Sequence, residues 1–208
     1  MRTRLYVDGF NLYYGSLKRT PHRWLNPVEL VRRHLQARHR ITGLKYFTAE
    51  VSDRQGNPGQ HHRQMLYLRA LATLPDCEII KGYYLTKPAW RPLAHPVPGQ
   101  PVTVKVLLTE EKGSDVNLAA HLIHDAHLDR FDSAVIVSGD SDLVAAVQIV
   151  KNELGKSVGV LNPQSRNCVM LQRHATFYMH VRPRLLPACQ FPEHLHDSAG
   201  AFSKPAAW

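Results

Sequence analysis

Four aspartates stand where the sequence predicts that strands end or helices begin. Asp8 follows the first apolar run of the chain, and Asp115 opens a predicted helix. Asp140 and Asp142 come just after the compact apolar run 134–137. Because the carboxyl ends of parallel strands share one edge of a sheet, aspartates that are distant in the sequence are expected to meet there.

A group of carboxylates at one edge suits a hard divalent cation. Crowded carboxylates raise one another's pKa unless a cation neutralises them. Mg²⁺ and Mn²⁺ accept oxygen ligands and keep several waters. An ion of this kind activates water and stabilises charge on a phosphoryl group. The four aspartates are therefore predicted to be the ligands and catalytic residues of a Mg²⁺ or Mn²⁺ site.

Each of these residues also has a simpler interpretation. An aspartate before glycine forms turns, and an aspartate at a helix start caps the helix. Asn11 is either an amide that orients the site or a helix-start residue, and Ser138 either donates to a carboxylate or ends a strand. Three separated segments with an aspartate at the same edge favour the shared site, with Asn11 and Ser138 in support.

The elements that would position these residues alternate between strand and helix patterns. The unit over 134–161 reads as strand, helix and strand, which indicates that part of the sheet is parallel. With the flanking helices this predicts a three-layer α/β fold. The other predicted strands cover 5–7, 44–51 and 77–85, and the predicted helices cover 27–39, 61–74, 115–128 and 143–154.

The prolines suggest how the chain is divided. We predict one domain over 1–182, and an arm or loose tail over 183–208. Five prolines within 86–101 predict an irregular loop outside the sheet. A strand over 102–108 is expected to close a hairpin with the strand before that loop. The segment 55–60 reads as a turn.

Composition excludes several classes of protein. The 208 residues are 44% hydrophobic and 21% charged, which is ordinary for a globular domain. No apolar run reaches the roughly 18 to 20 residues of a membrane span. Asp8 and Asn11 interrupt what would be the apolar region of a signal peptide, so we expect a cytoplasmic protein with no membrane partner. Three cysteines without a CxxC pair predict neither a disulfide framework nor a zinc ribbon.

Positive charge is concentrated in one half of the chain. Residues 1–100 contain 16 Lys and Arg against 6 Asp and Glu. This excess suits a polyanionic substrate, although a solvated basic surface explains it equally well. Basic and aromatic side chains together hold single-stranded nucleic acid. The candidate substrate-binding residues are Tyr14, Arg19 and Lys112.

Three segments resemble the NYN domains, a branch of the PIN-like nuclease superfamily, and especially their LabA-like group. They are 6–14 (YVDGFNLYY), 111–119 (EKGSDVNLA) and 137–143 (VSGDSDL). Their order and spacing match across about residues 3–181. The resemblance implies a Rossmann-like (PIN-like) fold with a mainly parallel sheet, and a divalent-metal pocket acting on RNA. Family members have an aspartate near the last strand, where this chain has 175–177 (ATF).

The resemblance implies the same acidic set, with Asn11 and Ser138 in support. The favoured prediction is a metal-dependent endoribonuclease that hydrolyses single-stranded or structured RNA. One alternative is a regulatory module that binds RNA or a protein partner without turnover, as a homodimer through the tail. A less favoured alternative is heterocycle hydroxylation, because some LabA-like relatives carry that name. The sequence has no GxGxxG after a strand and hence no fingerprint for a nucleotide cofactor.

Overall fold

The structure is a computed structural model, and it describes residues 1–53, 56–97, 99 and 101–208. None of the helices in these residues is long and apolar enough to cross a membrane. The predicted turn 55–60 and the predicted loop 86–101 each lie partly outside the described residues, at positions 55, 98 and 100.

Strands and helices alternate along most of the chain. The strands are β1 (Arg2–Asp8), β2 (Arg40–Thr48), β3 (Cys77–Lys81), β4 (Tyr83–Pro92), β5 (Thr103–Lys112), β6 (Ser133–Val137), β7 (Ser157–Asn162), β8 (Phe177–His180), β9 (His194–Asp197) and β10 (Gly200–Ser203). The α-helices are α1 (Gly9–Leu12), α2 (Pro27–Arg32), α3 (Gln60–Ala72), α4 (Ser114–His127), α5 (Val144–Gln148) and α6 (Val169–His174). A π-helical turn, Tyr13–Leu17, continues α1, and another, Ile149–Glu153, continues α5.

Six parallel strands form the central sheet, in the order β3-β2-β1-β6-β7-β8. The chain builds outward from β1 to β3 on one side and from β6 to β8 on the other. Val7 pairs with Val137, so β1 and β6 end side by side. This change of direction is a topological switch point, where the loops after the two strands diverge and leave a crevice.

The sheet is covered on both faces, which confirms the predicted three-layer α/β fold. All five residues of β6 are buried, as a central parallel strand requires. Leu5 and Val7 pack on one face with Trp24 and the C-terminal arm. Tyr6 points to the opposite face, where it packs with side chains of α4 and α5.

The strands β4 and β5 form an antiparallel hairpin that is separate from the central sheet. The strand that closes a hairpin is thus present, but the predicted irregular loop over 86–101 is wrong for residues 86–92. Pro88 and Pro92 are tolerated because both strands of a two-stranded ribbon are edge strands. Proline has no backbone N–H, and on the outer side of an edge strand no neighbouring strand needs that hydrogen bond. Gly82 lies between β3 and β4. A Cβ at this position would lie 2.4 Å from the carbonyl oxygen of Lys112, so a larger residue would clash with the backbone of β5.

The segment 183–208 is an ordered arm. It contains a 3₁₀ segment, Pro183–Cys189, followed by the hairpin of β9 and β10. The indole Nε1 of Trp24 donates to the carbonyl of Pro192 at 2.8 Å. Arg69 on α3 forms two 2.7 Å hydrogen bonds with Asp197. These contacts join the arm to the same core that supports β1.

A buried ion cluster joins α4 to the sheet. Asp125 is fully buried, and its carboxylate accepts from Lys45 at 2.9 Å and from the Tyr6 hydroxyl at 2.8 Å. Arg130 donates to its second oxygen at 2.8 Å. Burial alone would raise the pKa of Asp125, but the hydrogen bonds from Lys45 and Tyr6 outweigh burial and leave that pKa below its usual value.

Candidate metal and phosphodiester site

Asp8 lies at the end of β1 with only 4% of its surface exposed. One carboxylate oxygen accepts the backbone N–H of Asn11 at 2.9 Å. The other accepts the hydroxyl of Ser138 at 3.0 Å. Asp8 therefore caps α1, as the simpler interpretation expected, and also contacts the loop after β6.

The loop after β6 holds Asp140 and Asp142. The hydroxyl of Ser138 accepts the backbone N–H of Asp140 at 3.1 Å while it donates to Asp8. Asp140 caps a short 3₁₀ turn, because its carboxylate accepts the backbone N–H of Asp142 at 2.9 Å. Asp142 itself is exposed at the mouth of the crevice.

Asp115 reaches the same site from a third element. It stands in the first turn of α4, after Gly113, whose φ of 99° is in the left-handed region. Burial raises the pKa of Asp115, and so do the negative charges of Asp140, Glu111 and Asp142. The carboxylates are thus close enough to interact electrostatically.

The pKa of Asp8 is raised as well, mainly by its burial. Burial raises its pKa to about 6, and the charges of Asp115 and Asp140 contribute in the same direction. The hydrogen bonds from Asn11 and Ser138 only partly oppose this rise. The ionised form of such a carboxylate is unfavourable, and binding either a proton or a cation stabilises it.

Asn11 holds three loops of the site together. Its side-chain oxygen accepts the backbone N–H of Gly139 and the amide of Gln164, each at 3.0 Å. Asn162, at the end of β7, accepts the backbone N–H of Gln164 at 2.8 Å. A Cβ on Gly139 would lie 2.4 Å from Asn162, so only glycine fits there.

Sequence reasoning missed Asn162 and Gln164. A signal was available, because Asn162 directly follows the apolar run 158–161, just as Asp8 follows the first strand. The same rule about polar residues at the carboxyl ends of parallel strands would have identified it.

The contacts of the three predicted substrate-binding residues are with other groups than the four aspartates, and their role in binding stays a prediction. Lys112 forms an ion pair with Glu110 at 3.1 Å. Tyr14 is exposed, with the ammonium of Lys18 at 4.7 Å from its ring centroid. In the described part of the chain, neither Lys112 nor Arg19 forms an ion pair with one of the four aspartates.

An aromatic cavity adjoins the acidic site on the other side of α1. Its volume is about 130 Å³. The ring of Tyr46 lies against Gly9, where a Cβ would be 2.6 Å from the ring carbons. Burial raises the pKa of Tyr46, and the nearby charge of Asp8 adds to the rise. Tyr46 therefore stands between the cavity and the carboxylates, a role that its sequence neighbourhood did not reveal.

The donor set fits a hydrated hard cation better than a closed protein cage. Across the described ranges, no group of three or more His, Cys, Asp or Glu residues could hold an ion by itself. Asp8 and Asp140 each already accept hydrogen bonds within the loops. Mg²⁺ is often bound through one or two carboxylates, with waters and substrate phosphates completing the coordination. The raised pKa values of Asp8 and Asp115 are compatible with that arrangement.

The sheet order, the switch point and the acidic crevice define the class of protein. The chain belongs to the NYN domain family, whose model matches residues 2–180, and it thus falls among the PIN-like nuclease families. This confirms the family that the three sequence segments indicated.

Two individual proteins are similar to this chain. The 6-hydroxy-3-succinoylpyridine 3-monooxygenase HspA of Pseudomonas putida is 30% identical, over all of this chain and 75% of the relative. A solved structure of a protein of unknown function from Vibrio parahaemolyticus aligns with a TM-score of 0.52 and 18% identity. That alignment covers 87% of this chain and 93% of the other, and it supports the fold alone.

Proposed function

We propose that this protein is a divalent-metal-dependent ribonuclease whose acidic crevice hydrolyses RNA phosphodiester bonds. The observation that carries the proposal is the hydroxyl of Ser138, which donates to Asp8 at 3.0 Å and accepts the backbone N–H of Asp140 at 3.1 Å and so joins the two loops at the switch point. Asp8 and Asp115 both have raised pKa values, and the charge of Asp140 contributes to each. Membership of a PIN-like nuclease family supports the same assignment.

The chain's own residues would divide the work as follows. Asp8 and Asp140 would hold Mg²⁺ or Mn²⁺, with Asp115 and Asp142 adding negative charge at the rim. When bound, the ion supplies an activated water and neutralises charge on the phosphoryl group. Ser138 would fix the orientation of Asp8, because its hydroxyl bridges Asp8 and the backbone of Asp140.

The hairpin of β4 and β5 is suited to hold the RNA strand. It is close to the crevice, because Glu111 at the end of β5 accepts the backbone N–H of Ser114, next to Asp115, at 3.1 Å. Tyr83 and Trp90 on the hairpin are exposed. Exposed aromatic rings stack on unpaired bases, and basic side chains follow the phosphates. The hairpin also carries four such side chains, namely Lys87, Arg91, Lys105 and Lys112.

The test is RNA cleavage by an Asp140→Asn variant. The purified variant should keep its thermal midpoint and lose cleavage by about a hundredfold or more, as expected when charge stabilisation at a reacting centre is removed. Asp129→Asn is the matched control, because Asp129 is exposed and forms ion pairs with Arg2 and Lys156 before β6, away from the crevice. Cleavage by Asp140→Asn at the parent rate would contradict the mechanism.

Binding measured beside cleavage separates the alternatives. Tight RNA binding with no cleavage under Mg²⁺ or Mn²⁺ would favour a regulatory module over an enzyme. Light scattering of the same samples tests whether the protein forms a homodimer. Neither result depends on the other, so the catalytic and oligomeric proposals fail separately.

Heterocycle monooxygenation is a second candidate, favoured by the name of the Pseudomonas putida relative. In a balanced form of the reaction, O₂, two electrons from a reductant and two protons convert the substrate: one oxygen atom becomes the hydroxyl on ring carbon 3, and the displaced succinoyl group takes the other and leaves as succinate. The test is oxygen uptake and NADH oxidation with 6-hydroxy-3-succinoylpyridine, with and without added flavin. An oxygen-dependent product with a hydroxyl at ring carbon 3, in place of the succinoyl group of the substrate, would support this candidate, and no consumption under either condition would exclude this reaction for that substrate.

A further inference from the structure

The aromatic cavity next to the acidic crevice is lined by aromatic rings and by polar side chains, among them Arg23. Phe10, Tyr13 and Tyr14 line it from the segment after β1. Tyr46, Tyr67 and Trp208 line it from the sheet, α3 and the C-terminal arm. Four of the chain's separate segments thus contribute rings to one space.

These rings are fixed by contact with one another. The centroid of Tyr67 lies 6.0 Å from that of Tyr46 and 5.8 Å from that of Trp208, in both cases edge to face. The hydroxyl of Tyr67 donates to the carbonyl of Leu25 at 2.8 Å. The walls of the cavity are therefore preorganised, and preorganisation lowers the conformational entropy lost on ligand binding.

The volume limits what the cavity can hold. At about 130 Å³ it is close to the roughly 150 Å³ of an engineered cavity that binds benzene. It has room for one planar ring and not for a whole nucleotide. A sugar or phosphate attached to the ring would have to lie outside, where Gly9 and Phe10 lead toward Asp8.

Arg23 supplies a hydrogen-bond donor in the cavity. It lines the cavity, and one of its guanidinium nitrogens donates to the carbonyl of Lys18 at 2.9 Å. Its Nε is buried and has no hydrogen-bond partner among the described residues. A buried donor without a partner is costly, so an acceptor atom on a ligand would satisfy a need that the protein leaves open.

We infer that this cavity is a binding site for a single heteroaromatic ring that carries a hydrogen-bond acceptor. The rings of Tyr46, Tyr67 and Trp208 provide the apolar contact, and Arg23 provides the donor. Two sources share this chemistry: the base of a nucleotide in RNA, and a free heterocycle. The inference concerns binding and holds whether or not the acidic crevice cleaves RNA.

Calorimetric titration of the full chain in the presence of a chelator tests the inference without a metal in the crevice. The probes are adenosine and cytidine 5′-monophosphates, 2-hydroxypyridine, and ribose 5-phosphate as the probe without a ring. We expect at least one ring-bearing probe to bind with a Kd of about 1 mM or tighter, and ribose 5-phosphate to bind more weakly. Binding of nucleotides alone identifies a base pocket, and binding of the free ring alone identifies a small-molecule site.

Two variants connect binding to the cavity. Arg23→Gln should weaken binding by about tenfold, because a charged donor is lost. Arg184→Gln is the matched control, since Arg184 is exposed on the segment Pro183–Cys189 and does not line the cavity. Trp208→Phe keeps a ring and should retain calorimetric binding while the fluorescence change on binding falls.

The outcomes that overturn the inference are distinct from those that overturn the proposed ribonuclease. Equal binding of all four probes, no binding by any ring, or unchanged binding by Arg23→Gln would each overturn the ring site. If Arg23→Gln does not fold, Trp208→Phe provides the test instead. A fluorescence change on binding as large as that of the parent, with unchanged affinity, would show that the ring does not bind in this cavity. Asp140→Asn should bind the ring as well as the parent does, so loss of cleavage in that variant leaves this inference intact.

Discussion

The side-chain oxygen of Asn11 accepts the backbone N–H of Gly139 at 3.0 Å, across 128 residues of sequence. Asn11 follows β1 and Gly139 follows β6, which are the two strands that flank the switch point of the sheet. This bond sets the distance between Asp8, three residues before Asn11, and Asp140, one residue after Gly139. The spacing of the carboxylates therefore depends on an uncharged amide.

Replacing Asn11 with alanine should impair the site through geometry. Two donors, on Gly139 and Gln164, would lose their acceptor, so we expect a loss of about 1 to 3 kcal/mol in the free energy of unfolding. RNA cleavage should fall by more than the loss of folded protein explains, because the positions of the carboxylates relative to one another would change. Urea unfolding and initial cleavage rates measure both effects. Asn152→Ala, at an exposed position, is the control and should change neither.

The raised pKa of Asp8 predicts a particular pH dependence of stability. In the folded state its pKa is about 6, against a usual 3.8, so between these values the folded state binds more protons than the unfolded state does. The contribution of Asp8 to stability is present below about pH 4 and is lost as the pH rises through 6, by up to about 3 kcal/mol. An Asp8→Asn variant should lack this slope.

Urea unfolding at several pH values, with a chelator present, checks this prediction. Added Mn²⁺ should reduce the slope in the parent, because a bound cation favours the ionised carboxylate. The parent and Asp8→Asn would have parallel pH curves if burial of Asp8 were unimportant. Cleavage in the parent should increase through the same pH range, since a cation site needs Asp8 ionised.

The sheet and the acidic edge could be predicted from sequence because their signals are local. The run 134–137 is apolar throughout, and an aspartate follows it within three residues of its end. The order of such units along the chain then predicts a parallel sheet, and the sheet predicts that its loops converge. Asp8 and Asp140 both follow strands of the sheet, and the hydroxyl of Ser138 joins them by hydrogen bonds, while their roles in a metal site stay predictions.

The hairpin and the cavity depend on relationships that sequence patterns do not contain. Pro88 breaks a strand pattern, and it is tolerated only because β4 has a single neighbour. The cavity brings Trp208 to Tyr46 through the fold of the C-terminal arm, and no periodicity indicates that contact. The strand β8 was also missed, since its four residues are only half-buried and the pattern of a buried strand is absent.

The buried cluster around Asp125 predicts a large loss of stability in an Asp125→Asn variant. Lys45 is only 2% exposed and would lose its carboxylate partner at 2.9 Å, leaving only the half-exposed Glu78 at 3.5 Å. Removing one member of a buried pair costs about 3 to 5 kcal/mol. Urea unfolding followed by circular dichroism measures the loss. Asp129→Asn should lose far less stability, because its ion pairs are exposed and screened by solvent; equal losses in the two variants would contradict this account.

Trp90 on the hairpin offers the sharpest test of how RNA is held. Its side chain is 65% exposed on β4, so the folded protein gains little from it. Stacking of one base on an aromatic ring contributes about 1 to 3 kcal/mol. Trp90→Ala should therefore weaken the binding of single-stranded RNA by about fivefold or more, measured by fluorescence anisotropy, without a change in thermal midpoint. Leu107→Ala is the control, because Leu107 on the paired strand is 75% exposed and has no ring. If both variants bind RNA equally well, the hairpin does not stack bases, and the strand must reach the acidic crevice by another path.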